Sequence, residues 1–100
     1  MEHIQDKYFI AIAENIKTVI EEKKIDIADL AAAANVDRKQ IYRLINKENV
    51  AKLSTLVRIS LAAGIEPQIL FSLKFDFESY MKDNNILKAI PKNDKSPGKR

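Results

Sequence analysis

Apolar residues in the first quarter of the chain recur at intervals of three or four positions. Between Ile4 and Lys24 they define a single stripe, made up of Tyr8, Ile12, Ile16, Val19 and Ile20. Residues at these intervals lie on one side of an α-helix, because a turn takes about 3.6 residues. The pattern predicts a first helix over this segment.

A short second helix is predicted from a start signal and a stop signal. Asp26 is suited to cap its N-terminus, and Asp29 stands at the position of a capping-box acceptor, before the run Leu30 to Ala34. Asn35 follows the alanines and tolerates the left-handed conformation that commonly ends a helix. We expect the second helix to stop there.

The capping pattern then recurs, with Asp37 as cap and Gln40 at the third position. A third helix is therefore expected to begin near Arg38 and to fray around Asn46. Its apolar side consists of Ile41, Leu44 and Ile45.

Two further helices are predicted in the second half of the chain. The apolar pattern from Leu53 to Ala63 ends at Gly64, a residue favoured just beyond helix C-termini. Pro67 suits the first turn of a fifth helix. The residues of that helix expected to face inward are Ile69, Leu70 and Leu73.

Beyond Phe71 the periodicity changes, because aromatic and aliphatic residues alternate with polar ones as far as Glu78. This alternation is typical of a strand but also of an amphipathic connector, and the pattern does not distinguish them. We assign residues 4–73 to one domain, 74–90 to an apolar extension, and 91–100 to a disordered basic tail. The extension either covers the core or forms a homodimer surface.

Composition agrees with an all-α fold. The chain has 100 residues, enough for one core, and only two Gly and three Pro. It has no Cys, and no apolar run approaches the roughly 18 residues of a membrane span. A cytoplasmic protein without a membrane segment is expected.

Basic charge is concentrated in the middle of the chain. Residues 31–60 hold six basic and two acidic side chains, whereas residues 1–30 hold four basic and seven acidic ones. The basic cluster coincides with the third helix and the residues after it. Such a cluster is either a solvated helix face or a surface that contacts a polyanion.

The second and third helices have the features of a helix-turn-helix between residues 26 and 46. Ala31 is small where the two helices must cross, Asn35 forms the turn, and Leu30 with Val36 fills the junction. Around these landmarks the chain resembles the Cro/cI-like, or XRE-type, helix-turn-helix family of phage repressors and bacterial regulators. The resemblance runs from about Ala13 to Phe71 and includes "DIADLAAAANVDRKQIYRLIN" and "LSTLVRISLAAGIEPQILF".

The resemblance implies a five-helix, lambda-repressor-like DNA-binding domain whose third helix enters the major groove of double-stranded DNA. It also implies a dimer on a palindromic operator. The residues expected to contact DNA are Arg38, Lys39, Gln40, Tyr42, Arg43 and Lys47.

Four positions depart from the family's pattern. Ile27 replaces a frequent Gln that contacts phosphate, Asn35 replaces the turn Gly, and Asp37 replaces Ser or Thr. The frequent Asn-Gly after the recognition helix is Asn46-Lys47.

The leading hypothesis is a sequence-specific transcriptional regulator, most simply a repressor. The alternatives are an antitoxin that autoregulates its operon and holds a toxin protein, or an interaction adaptor that has lost DNA binding, for which Ile27 and Asp37 argue. No glycine-rich phosphate loop or nucleophile motif is present in the sequence. We therefore expect no enzyme activity, no metal site and no cofactor.

Overall fold

The computed structural model describes residues 5–92, and within that range the chain is helical with no strand. This confirms the predicted all-α fold class. The six helices are α1 (Lys7–Glu22), α2 (Ile27–Ala34), α3 (Arg38–Ile45), α4 (Leu53–Ala62), α5 (Gln68–Phe71) and α6 (Phe77–Asp83). In this range no helix has the length and apolar character needed to cross a membrane.

Helix α1 forms the long support of the fold. Its N-terminus is capped by Asp6, whose carboxylate accepts hydrogen bonds from the backbone N–H groups of Tyr8 and Phe9 at 3.0 and 3.1 Å. The predicted stripe is confirmed, because Ile12, Ile16 and Ile20 are buried. The helix packs against α3 and α5.

Two helices joined by a tight turn, α2 and α3, form in the segment where the helix-turn-helix is predicted. The carboxylate of Asp26 accepts a hydrogen bond from the N–H of Asp29 and thereby caps α2. Asn35 ends that helix in the left-handed conformation, with φ of 56°. Leu30 and Ala31 are buried where α2 packs against α3 and α4. The turn and the junction are as predicted.

Helix α4 ends as the sequence indicates, whereas α5 is shorter than expected. Gly64 follows α4 with φ of +80°, a conformation that favours glycine. Helix α5 has four residues and buries Leu70. The prediction that Ile69 faces inward is wrong, because its side chain is 46% exposed.

Residues 72–76 of the alternating segment form neither strand nor helix, and helix α6 follows from Phe77. The extension contacts the start of α1: Tyr8 packs edge-on against Phe75 and Phe77, with ring centroids 5.0 Å apart in each pair. The Tyr80 hydroxyl donates to the Asp6 carboxylate. The extension therefore covers one end of the core.

The last part of the extension is exposed. Leu87 is the extreme case at 89%, and Ile86 and Ile90 are also exposed. Of the predicted disordered tail, residues 93–100 lie outside the described residues.

Candidate nucleic-acid interface

Helix α3 has one buried side and one exposed side. Ile41 and Leu44 are 0% and 2% exposed and hold the helix against α1 and α2. Successive residues are rotated by about 100° around a helix, so Lys39 and Arg43 lie on the side opposite Ile41. Both side chains are exposed. Because the aliphatic residues are buried, a pair of cations four residues apart faces outward.

Three other predicted contact residues border this pair. Arg38 is exposed in the first turn of α3, Gln40 lies on one flank, and Tyr42 lies on the other with 47% of its surface exposed. We call Arg38, Lys39, Gln40, Tyr42 and Arg43 the α3 face. The structure brings these five residues together on one exposed surface.

The N-terminus of α3 is capped by Asp37, whose carboxylate accepts a hydrogen bond from the Lys39 N–H at 2.9 Å. Within residues 5–92 no hydrogen bond joins the side chain of Gln40 to Asp37. Gln40 instead lines a neighbouring cavity. The Gln40 side chain is also exposed.

That cavity lies between α3 and the start of α4 and has a volume of about 190 Å³. Arg43 and Lys52 supply positive charge, and none of its lining residues is acidic. Lys52 precedes α4 without a side-chain cap, so the first N–H groups of that helix lack such a partner. The full lining is Gln40, Arg43, Leu44, Asn49, Val50, Ala51, Lys52 and Thr55.

The cavity changes how Lys52 is interpreted. From sequence it is most simply an ordinary surface charge, but here it stands beside Arg43 and an uncapped helix N-terminus. Both the cation and the helix dipole attract anions. The positive surface therefore continues from α3 onto the start of α4.

Lys47, the sixth predicted contact residue, is placed differently from the other five. Its ammonium group forms an ion pair with Glu14 of α1 at 3.2 Å, and its side chain is 38% exposed. Its backbone has φ of 61°, which explains why glycine would suit the position. The Glu14 pairing turns Lys47 towards its own chain, and its role on DNA stays a prediction.

Arg58 has a structural contact that sequence reasoning missed. One guanidinium nitrogen donates to the backbone carbonyl of Asn35 at 3.3 Å, linking α4 to the turn between α2 and α3. The two residues are 23 positions apart, so no local pattern could indicate the contact.

The departure at Ile27 also has a physical explanation. Ile27 is the first residue of α2, and its partly buried side chain packs against the core. An aliphatic residue at this position stabilises the fold, whereas a polar residue there could contact a DNA phosphate.

Comparison with known proteins adds one finding to this geometry. A family model described as the Cro/C1-type HTH DNA-binding domain matches residues 15–76. No significant match was found among curated proteins or solved structures. The matched region contains the helix-turn-helix, the α3 face and the cavity, and it spans well over half of the chain. The chain therefore belongs to the Cro/C1-type helix-turn-helix DNA-binding domain family.

Proposed function

We propose that this protein is a sequence-specific transcriptional regulator, most simply a repressor, that binds a palindromic operator as a dimer. The observation that carries the proposal is the α3 face, where Lys39 and Arg43 project from a helix whose opposite side is buried. An α-helix fits the major groove of B-DNA, and side chains on its exposed side reach the base edges.

Each residue of the α3 face has a defined role in this proposal. Arg38 and Arg43 are the candidates for paired hydrogen bonds to guanine N7 and O6, and Gln40 can pair with adenine. Lys39 contacts phosphate, and Tyr42 contacts a sugar or a thymine methyl group. We assign contacts with the DNA backbone to Lys52 and the start of α4.

Titration with DNA at several salt concentrations tests the proposal. Because binding releases counterions from phosphates, the affinity should fall steeply as salt is raised. Fragments selected from the organism's genomic DNA should share a half-site. An absence of binding at low salt would rule the proposal out.

Substitutions in the α3 face test which residues read the sequence. Arg38→Ala and Arg43→Ala should each weaken specific binding by about 1–3 kcal/mol, roughly fivefold to 150-fold, and relax the preference at one base pair. Lys82→Ala on α6 removes the same charge outside this face and should bind almost normally. Equal losses in all three variants would indicate a non-specific charge effect.

One observation favours the antitoxin alternative as a second candidate. Ile86, Leu87 and Ile90 form an exposed apolar segment after α6, a feature suited to hold a partner protein. A small toxin-like reading frame next to the gene would support it. The protein should then copurify with the product of that reading frame, and deletion of residues 84–92 should abolish the copurification.

A further inference from the structure

The cavity between α3 and the start of α4 has a buried hydroxyl group in its lining. Thr55 is only 9% exposed, and it lines the cavity together with the almost completely buried Leu44. In the described part of the chain, its hydroxyl forms no hydrogen bond with another protein group. A buried hydroxyl without a partner lowers stability, because it has given up its hydrogen bonds with water. A ligand that supplies an acceptor oxygen would restore such a bond.

The other polar groups of the cavity also favour an anionic oxygen. Lys52 provides no side-chain acceptor for the first N–H groups of α4, and these groups lie at the positive end of the helix dipole. Arg43 and Lys52 add two positive charges to the lining, and no lining residue is acidic. The cavity therefore combines a helix N-terminus, a hydroxyl and two cations, which are groups that bind phosphate in proteins.

The cavity is larger than a phosphate group alone requires. Its volume is about 190 Å³, whereas an engineered cavity of about 150 Å³ in another protein binds benzene. Leu44, Val50 and Ala51 supply the apolar part of the lining. The space therefore suits a phosphate group that carries one small apolar substituent.

A phosphate of the DNA backbone suits the buried part of this cavity less well. Such a phosphate is a diester, so it carries two sugar substituents and has only two free oxygens. A phosphate monoester has three free oxygens and a larger negative charge, and its single substituent can enter the cavity with it. The burial of Thr55 therefore favours a monoester, whereas the exposed Lys52 can contact either kind of phosphate.

We propose that this cavity binds a small phosphate monoester and that its binding releases the protein from DNA. Thr55 and the first N–H groups of α4 donate hydrogen bonds to the phosphate, and Arg43 and Lys52 neutralise its charge. Arg43 and Gln40 belong both to the cavity lining and to the α3 face. The same side chain cannot contact a base and the ligand at once. The binding site is argued from the cavity alone, but its regulatory effect rests on the proposed function.

Titration of the full chain with phenyl phosphate, in the absence of DNA, tests the site. NMR shifts of the backbone amides at the start of α4 should report binding with a dissociation constant of about 1 mM, as is usual for so small a ligand. Phenol lacks the phosphate, and dimethyl phosphate is a diester like the DNA backbone. Each should bind about tenfold more weakly or worse. A failure of phenyl phosphate to bind, or equal binding of dimethyl phosphate, would overturn the proposal.

Substitutions in the lining test where the phosphate binds. Thr55→Val removes the hydroxyl at nearly constant shape, so the affinity for phenyl phosphate should fall about tenfold or more. Because that hydroxyl has no protein partner, the melting temperature should not fall. Lys52→Gln, at an exposed position, should also weaken binding. The matched controls, Thr18→Val on α1 and Lys82→Gln on α6, should bind like the wild type. Equal affinities in the lining variants and their controls would contradict the proposed site.

DNA titrations separate failure of this proposal from failure of the proposed function. With phenyl phosphate at ten times its own dissociation constant, competition should weaken binding to a single half-site about elevenfold. Sodium chloride at the same ionic strength controls for screening and should have a smaller effect. DNA binding that does not respond to phenyl phosphate would refute this proposal and leave the regulator intact. Binding of phenyl phosphate by a protein that does not bind DNA would refute the regulator and retain the site.

Discussion

The helix-turn-helix and the C-terminal extension are attached to α1 by different forces. In α3, Ile41 and Leu44 are almost completely buried and join a core shared with α1, α2 and α4. In α6 no residue is buried. The extension is held by aromatic edges, by the Tyr80–Asp6 hydrogen bond, and by an exposed ion pair between Lys7 and Asp83 at 3.6 Å.

This difference shows which of the two regions has a precisely determined orientation. The fold loses stability when closely packed, buried aliphatic side chains shift even slightly, so the orientation of α3 is well determined. Exposed ion pairs contribute about 0–1 kcal/mol, and edge contacts do not exclude water completely. Helix α3 should therefore be rigid, and the extension should detach with the chain still folded.

The largest expected effect comes from the core of the helix-turn-helix. Leu44→Ala should lower the free energy of unfolding by about 2–5 kcal/mol, because it leaves a cavity among buried side chains. Leu87→Ala, at an 89% exposed position in the extension, should change it by less than about 0.5 kcal/mol. Denaturant unfolding measures both. Comparable losses would mean that the two regions share one core.

A smaller effect is expected at the cap of α3. Asp37→Ala removes the acceptor for the Lys39 N–H and should lower the free energy of unfolding by about 1 kcal/mol. Asp37→Asn keeps an acceptor and should be nearly neutral for stability. The asparagine variant also removes an anion beside the α3 face, so its DNA affinity should rise at low salt. Unchanged affinity would place Asp37 outside the DNA interface.

The smallest effect is expected at the hydrogen bond that holds α6. That hydrogen bond to Asp6, together with partial desolvation and the carboxylate's charge, raises the pKa of Tyr80 above its ordinary value of 10.0. The bond therefore contributes fully below pH 10 and is lost as the pH rises through the higher, folded-state pKa. As the pH rises through that range, the exchange of backbone amide hydrogens should accelerate in α6 before it does so in α3.

Tyr80→Phe provides the control for this pH dependence. The variant lacks the titrating hydroxyl, so exchange of α6 should already be faster at neutral pH and should show no additional step above pH 10. If α6 and α3 exchange together in both proteins, the extension is part of the same cooperative unit.

Much of the fold could be predicted because the relevant interactions are local. Asp26 and Asp37 cap helices that begin one residue later, and Asn35 and Gly64 adopt positive φ where their residue types permit it. The exposed α3 face could also be predicted, because the helical period places its cations opposite Ile41. Bounds for the domain and roles of its site residues remain predictions.

Contacts between distant segments could not be predicted in this way. The alternation after Phe71 fits a strand or an amphipathic connector, and residues 72–76 form neither strand nor helix. In the structure Glu14 of α1 lies beside the ammonium group of Lys47, and Arg58 reaches the carbonyl of Asn35 because α4 packs against α2.

By itself the sequence determined the capped starts of α2 and α3, the positive-φ residues that follow α2 and α4, and the cationic side of α3, because those depend on interactions within about four residues. Only the tertiary structure decided which of the described cations pair within the chain, which apolar residues stay exposed, and how the extension contacts α1. These outcomes depend on where separate helices come to lie.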